Sequence, residues 1–228
     1  LLPKSSPEIE VFDIASFFRP AESTGGDFYD YISFDNGSLG VIVGDVSGHG
    51  FGPAILTAAT RSYLRATIIV NPNLSHVFET TNQLLCHDTY DGRFITAILL
   101  ELDPVKRILN YVSAGHIDVL VFDATGSVKR ELTSTGCPLG LFNDRVFPQG
   151  DTVQLETGDM LLILTDGFLE TVSTETELFG NDRIIQSVKN NCKESSRQIL
   201  DELYFDILEF RQQRPQMDDL TGVLIKVL

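Results

Sequence analysis

Leu39-Gly40-Val41-Ile42-Val43-Gly44-Asp45-Val46-Ser47-Gly48-His49-Gly50 reads as an apolar strand, Leu39 to Val43, that carries a carboxylate, Asp45, to its end and opens at once into glycine-rich chain. A carboxylate at the mouth of a buried strand is costly to desolvate unless it is paired, hydrogen-bonded or bound to a metal. A helix should follow from Pro53, favourable at a first helical position, through Ile55, Ala58, Ala59, Tyr63, Ala66 and Ile69 at helical spacing. A phosphate-cradling loop competes for the same glycines, but it needs Lys and Ser/Thr after its last glycine, and here Gly50 is followed by Phe51-Gly52. His49 could donate a proton or ligate a metal, although a lone histidine between glycines is more often structural or exposed.

Outward from this stretch the chain alternates runs of strands with helices. Upstream, Glu10 to Phe17 and Phe28 to Phe34 are rich in β-branched and aromatic residues, and Asp35-Asn36-Gly37 is a hairpin turn into the Leu39 strand. Downstream, a second helix spans about Leu74 to His87. Strands return at Phe94 to Leu102, Ile108 to Val112, Val119 to Phe122, Val128 to Leu132, Thr152 to Leu155 and Met160 to Thr165. An amphipathic helix from Ser196 to Gln213 follows, with Ser195 and Gln198 spaced as a capping box, and Leu220 to Leu228 closes as a strand. Strands, a helix pair, more strands, a second helix pair and a last strand imply an α+β layered sandwich, with helices covering antiparallel sheets.

The 228 residues, 43% hydrophobic and 21% charged, fit one globular domain spanning 1–228 with a substantial core. The abrupt start at Leu1 suggests a module of a longer chain with a regulatory region upstream. A net charge of −15 argues against nucleic acid, whose recognition rests on cation contacts to phosphates. No apolar run reaches membrane-spanning length, so membrane contact is not expected. Three cysteines without CxxC pairing argue against a disulfide framework and a structural zinc site and favour buried free thiols. A cytoplasmic location is the resulting expectation.

Three further segments share the grammar of Asp45. Gly25-Gly26-Asp27-Phe28-Tyr29-Asp30 sets two acids beside paired glycines. Leu161-Leu162-Ile163-Leu164-Thr165-Asp166-Gly167 delivers an aspartate from an apolar strand, and Met217-Asp218-Asp219-Leu220-Thr221 opens the terminal strand with an acidic pair. Each alone could be an ordinary acidic turn. Together they supply hard oxygen ligands of the kind Mg²⁺ or Mn²⁺ requires, while His49, His76, His87 and His116 are not grouped with cysteines at zinc spacings.

These motifs resemble a known family. Gly25 to Asp30, Asp45 to Gly50, Phe94-Ile95-Thr96, Ser113-Ala114-Gly115-His116, Gly136-Cys137-Pro138-Leu139-Gly140, Thr165 to Glu170 and Asp218 to Thr221 occur in the order seen in bacterial SpoIIE/RsbU-like phosphatases of the metal-dependent type 2C superfamily. The resemblance implies a four-layer αββα β-sandwich of two antiparallel sheets flanked by helix pairs, with a binuclear centre at its end. It makes Asp45 the carboxylate shared by two divalent cations, Mn²⁺ or Mg²⁺, with the Val46 carbonyl as a further ligand. Asp27, Asp166 and Asp218 complete the catalytic, metal-holding set, and Asp219 supports them from behind. Ile117-Asp118 departs from the Asn/Gln-and-proline pattern that commonly follows the histidine.

The implied activity is protein serine/threonine phosphatase, hydrolysing phosphoserine or phosphothreonine by metal-activated water. The implied substrate is a phosphorylated anti-sigma-factor antagonist of the STAS type in a partner-switching pathway, under an upstream sensory or receiver domain. A homodimer is left open. Covalent routes fit poorly, because Cys137 lies in Thr135-Gly136-Cys137-Pro138-Leu139 without a basic loop and Asp166 lacks the DxD pattern. The rivals are a pseudophosphatase binding module and a regulatory adaptor. Arg19 is the only cation between Lys4 and Asp45, so the metals are expected to supply most of the phosphate recognition.

Overall fold

Strands buried on both faces read as continuous apolar runs, and the chain has several of them. The structure is a computed structural model, and it describes residues 2–48, 50–89, 92–174 and 176–228. Among these the order is β1 (Phe12–Arg19), β2 (Phe28–Ser33), β3 (Leu39–Val46), α1 (Phe51–Val70), α2 (Leu74–Asp88), β4 (Ile95–Asp103), β5 (Ile108–Ala114), β6 (Val119–Phe122) and β7 (Val128–Leu132). Then come β8 (Val153–Gln154), β9 (Met160–Leu164), α3 (Asp166–Glu170), α4 (Gly180–Asn191), α5 (Ser196–Arg211) and β10 (Leu220–Val227).

One sheet runs β1-β10-β9-β6-β7 and the other β2-β3-β4-β5-β8, with antiparallel pairing throughout. The strand period of two divides each apolar run between two cores. Val41 and Val43, Ile98 and Leu100, Leu161 and Ile163, and Val223 and Ile225 meet between the sheets. Ile42, Val46 and Leu99 face the other way, onto Leu64, Val77, Phe78 and Leu85 of α1 and α2. On the outer face of the other sheet, Leu120, Leu162 and Leu224 pack on Ile184, Ile199, Leu203 and Ile207 of α4 and α5. These side chains are almost wholly buried, and each contributes about 1.5–3 kcal/mol relative to exposure. The α+β sandwich expected from the sequence is the fold observed.

Three details differ. β3 continues to Val46, because Asp45 and Val46 pair with Thr96 and Ile95 of β4; Asp45 is thus inside the ladder, on the inter-sheet parity of Val41 and Val43. The short α3, five residues long, begins at Asp166 itself. α4 is the partner helix whose place the sequence pattern did not mark, because it buries only Ile184, Ser187 and Val188. The capping box at α5 forms, with the Ser195 side chain accepting from the Gln198 amide and the Gln198 side chain accepting from Ser195.

Asp30, three residues beyond Asp27, points away from the rim and ties α1 to β2. Its carboxylate accepts from Arg61 and Arg65, and it is 1% exposed while the Arg61 and Arg65 side chains are 9% and 49% exposed. Removing the shared acid strands a buried guanidinium, whereas removing the exposed arginine leaves the buried pair intact. Urea unfolding should therefore show Asp30→Ala destabilised by about 3 kcal/mol and Arg65→Ala by about 1 kcal/mol or less.

Candidate metal centre

At one end of the sandwich the inter-sheet face changes from apolar to polar. Following the parity of Ile163 and Val223, β9 leads to Thr165 and β10 carries Thr221 as its second residue, both buried. Thr165 Oγ1 donates to Asp27 Oδ2 at 2.6 Å and accepts from the Thr221 amide at 3.1 Å. Asp219 is buried too and clamps the loop before β2: its Oδ1 accepts from Ala21 N at 2.8 Å and its Oδ2 from Asp27 N at 3.3 Å. Asp27 and Asp219 are 3% and 7% exposed, whereas Asp218 lies in the open. Asp218 Oδ1 accepts from the Asp219 amide at 2.8 Å, which sets the two acids on opposite sides of the turn into β10.

Two glycines make the approach close enough. A Cβ on Gly26 would lie 2.7 Å from the Val46 carbonyl oxygen and 3.4 Å from both Asp45 Oδ1 and the Gly48 carbonyl oxygen. A side chain there would fill the space those oxygens share. A Cβ on Gly167 would lie 2.1 Å from the Asp219 carbonyl oxygen, so glycine lets α3 rest on the start of β10 and brings Asp166 toward the terminal acids. Gly26 is also held from the helix layer, because Thr57 Oγ1 of α1 donates to its carbonyl at 2.7 Å.

The carboxyls of Asp27 and Asp45 are close enough that each shifts the other's pKa. Burial, and then the charge of Asp166, with smaller pushes from Asp218 and Asp219, raise the Asp45 pKa to about 7 against the hydrogen bond from Asp27. Asp27 is raised well above the usual carboxylate range by burial first and by Asp45 second, with the Thr165 hydroxyl working the other way. Asp166 is raised by burial and by Glu170, opposed by the Gly167 amide. Among the described residues no Lys, Arg or His is ion-paired with Asp27, Asp45 or Asp166. Carboxylates so gathered hold either a proton or a cation.

The donors are all hard oxygens, from carboxylates and a backbone carbonyl, and the cradle at Gly26 leaves the Val46 and Asp45 oxygens room on one side; these residues fit Mg²⁺ or Mn²⁺. Yet the set is gathered rather than closed. Among the described residues no three Asp, Glu, His or Cys side chains converge into a cage able to hold a metal on their own. His49 lies outside the described residues.

His116 ends its motif at the same end of the sandwich, with its ring near the backbone of Leu164, and its burial holds its pKa down at about 4. Its Nε2 has no hydrogen-bond partner, so the ring is a neutral packing element. Ile117, in the departing pair, packs on the outer core of β9 and β10, and Asp118 is exposed. A larger groove, about 830 Å³, lies at the opposite end of β1 and β10, lined by Ile9, Phe12, Asp13, Lys226 and Leu228 among others, far from the carboxylates.

Two antiparallel five-stranded sheets with helices on both outer faces define a PP2C-like fold. The solved SiaA-PP2C domain of Pseudomonas aeruginosa superposes with a TM-score of 0.84, over 95% of this chain and 86% of that one, at 22% identity. The RsbU and RsbW domains of Rv1364c from Mycobacterium tuberculosis give 0.78 at 26% identity, over 95% of this chain and 60% of that one. RsbX in complex with magnesium gives 0.69 at 18% identity, over 97% and 98%. The chain belongs to the Stage II sporulation protein E (SpoIIE) family, whose model matches residues 35–228. Among curated relatives, Protein IcfG of Synechocystis sp. is 27% identical over 98% of this chain, and the phosphoserine phosphatase RsbP of Bacillus subtilis is 29% identical over 71% of it. The chain spans 39% and 40% of those two relatives' lengths. No helix among the described residues is long and apolar enough to cross a membrane.

A carboxyl whose pKa is raised by folding binds more protons in the native than in the unfolded state, so its stability contribution is present below the unfolded value and is lost as pH rises toward the folded one. For Asp45 that window runs from 3.8 to about 7. In EDTA, Asp45→Asn should gain on the wild type by a few kcal/mol in unfolding free energy as pH rises through this window. Differencing variant against wild type cancels His116, which works in the opposite sense between about 4 and 6.5. Mn²⁺ should reverse the order at pH 7.5 by stabilising the wild type more.

Proposed function

We propose that this domain is a metal-dependent protein phosphatase that hydrolyses phosphoserine or phosphothreonine with water as the nucleophile. The observation that carries the reading is the neighbouring Asp27 and Asp45 pair, the first buried and the second half-buried, each shifting the other's pKa and neither paired with a protein cation among the described residues. Asp45, the Val46 carbonyl, Asp27, Asp166 and Asp218 would hold two divalent cations, Mg²⁺ or Mn²⁺. When bound, the cations supply Lewis-acid charge against the phosphoryl oxygens and lower the pKa of the attacking water.

The chain's own residues do the rest. Thr165 and the Asp219 clamp fix the Asp27 carboxyl and the loop that bears it. Asp219, lacking reach to the open side, acts by positioning. Exposed Asp218 sits where solvent and substrate enter. The ester oxygen of the serine or threonine leaves as water oxygen bonds to phosphorus, and no protein nucleophile is required. RsbP, by name a phosphoserine phosphatase, and RsbX, solved with magnesium, support the activity and the metal.

For the substrate, the reading is a phosphorylated STAS-type anti-sigma-factor antagonist in bacterial partner switching, in the cytoplasm and under an upstream sensory or receiver domain. The union of RsbU and RsbW domains in Rv1364c supports that setting. The three cysteines are all free, in keeping with a reducing compartment.

Turnover of p-nitrophenyl phosphate should require Mn²⁺ or Mg²⁺ and vanish in excess EDTA, and Asp166→Asn should lower kcat by about a hundredfold or more at saturating Mn²⁺. Undiminished turnover in EDTA would refute the metal mechanism; no turnover under any metal would favour a pseudophosphatase. For the partner, kcat/KM on a folded phosphorylated STAS protein from the same genome should exceed that on a short peptide of the same phosphoserine by at least about tenfold, because docking contacts away from the phosphate select the partner. Equal values would remove that assignment.

A further inference from the structure

The turn between α5 and β10 brings two arginines beside the acids from a part of the sequence distant from Asp27 and Asp45. A cavity of about 420 Å³ is lined by Gly167, Glu170, Arg211, Arg214, Met217 and Asp218, among others. It therefore shares walls with the metal centre: Gly167 follows Asp166, and Asp218 belongs to the centre itself. Arg211 is the last residue of α5. Its Nη1 donates to the Arg214 carbonyl at 3.3 Å, and its Nε is buried without a hydrogen-bond partner. Arg214 makes one long contact, from Nη2 to the Thr174 carbonyl at 3.4 Å. Gln216 braces the turn, donating to the carbonyls of Arg19 and Asp218 at 2.8 Å each.

The chain has 32 acids against 17 Lys and Arg, and Arg61, Arg65, Arg183, Arg197, Lys106 and Lys129 bond an acid of the same chain. Among the described residues neither Arg211 nor Arg214 does. Two half-buried, acid-free guanidiniums lining one cavity suit an incoming oxyanion, because the planar fork binds a carboxylate through paired N–H bonds. The phosphoryl group is already assigned to the carboxylate-held cations, so the cavity is left to a second acidic group of the same substrate.

We propose that Arg211 and Arg214 form an acid-reading subsite that takes a Glu or Asp side chain close in sequence to the phosphorylated residue of the substrate protein, an inference that rests on the phosphatase reading above. The subsite selects substrates by charge at a distance from the reacting phosphorus. Arg214 is the residue to vary, since the buried Nε of Arg211 gives that side chain a packing role as well.

Three phosphoserine peptides, alike except for Glu, Gln or Lys at the positions flanking the phosphoserine, are compared by kcat/KM in Mn²⁺. Their nonhydrolysable phosphonate counterparts are compared by calorimetric Kd in Mn²⁺. Wild type should favour the Glu over the Gln peptide about tenfold in both measures. Arg214→Gln should bring that ratio to about one, and Arg214→Glu should turn the preference toward the Lys peptide, a reversal that loss of packing cannot produce. A wild-type ratio of one, a ratio unchanged in both variants, an equal loss on Glu and Gln peptides, or no phosphonate binding overturns the subsite. Turnover without charge preference does so while leaving the phosphatase reading in place. Charge-selective phosphonate binding without turnover leaves the subsite in place and removes the phosphatase.

Discussion

Asp27 and Asp45 set two neighbouring carboxyls, one buried and one half-buried, at the end of the sandwich, where the two charges disfavour each other and call for a proton or a cation. The end of the sandwich is arranged around that constraint. Asp45 arrives on β3 in ladder with β4, Asp27 is held by Thr165 of the other sheet, and Asp219 at the head of β10 grips the Asp27 loop. Each acid is therefore placed by an element with its own apolar anchor. The same burial that stabilises the strands by a few kcal/mol per side chain raises the cost of ionising the acids at their ends. Stability and cation demand are two consequences of one packing arrangement.

The helix layers bear on the rim through single polar contacts. Thr57 of α1 donates to Gly26, where a side chain would clash with the Val46 carbonyl oxygen, and Asn82 of α2 holds the following loops, accepting from the Gly140 amide and donating to the carbonyls of Phe142 and Asn143. α1 is fixed to β2 by Asp30 between two arginines. A displacement of α1 would thus be felt at Gly26 and, through it, beside Asp45. Arginine serves two ends in this molecule: Arg61 neutralises a buried acid of its own chain, while Arg211 and Arg214 present guanidiniums that no acid of the described chain bonds.

The chain belongs to the SpoIIE family and has a PP2C-like fold, and of the acids gathered at the end of the sandwich Asp218 is the exposed one. The chain spans 39% of the length of IcfG and 40% of that of RsbP.

Much of the architecture was legible because both faces of the central strands are buried, which writes them as uninterrupted apolar runs such as Leu161 to Leu164, and because Asp35-Asn36-Gly37 and Ser195 with Gln198 carry local turn and cap chemistry. The four acidic motifs were legible for the same local reason: each aspartate adjoins a strand and a glycine. α4 was not, since it is polar over most of its twelve residues and buries only two aliphatics, Ile184 and Val188. The division of labour within Asp218-Asp219 was implied by the family resemblance and not by local chemistry, because adjacent identical residues differ only in what they meet: Asp219 accepts from Ala21 and Asp27, whereas Asp218 is exposed. Sequence by itself determined that strands would end in carboxylates. Tertiary structure alone decided that residues far apart in the sequence, Asp27 with Thr165 and Asp219, and Gly167 with Arg211 and Arg214, share one end of the sandwich, because antiparallel pairing between distant segments sets which strand ends coincide.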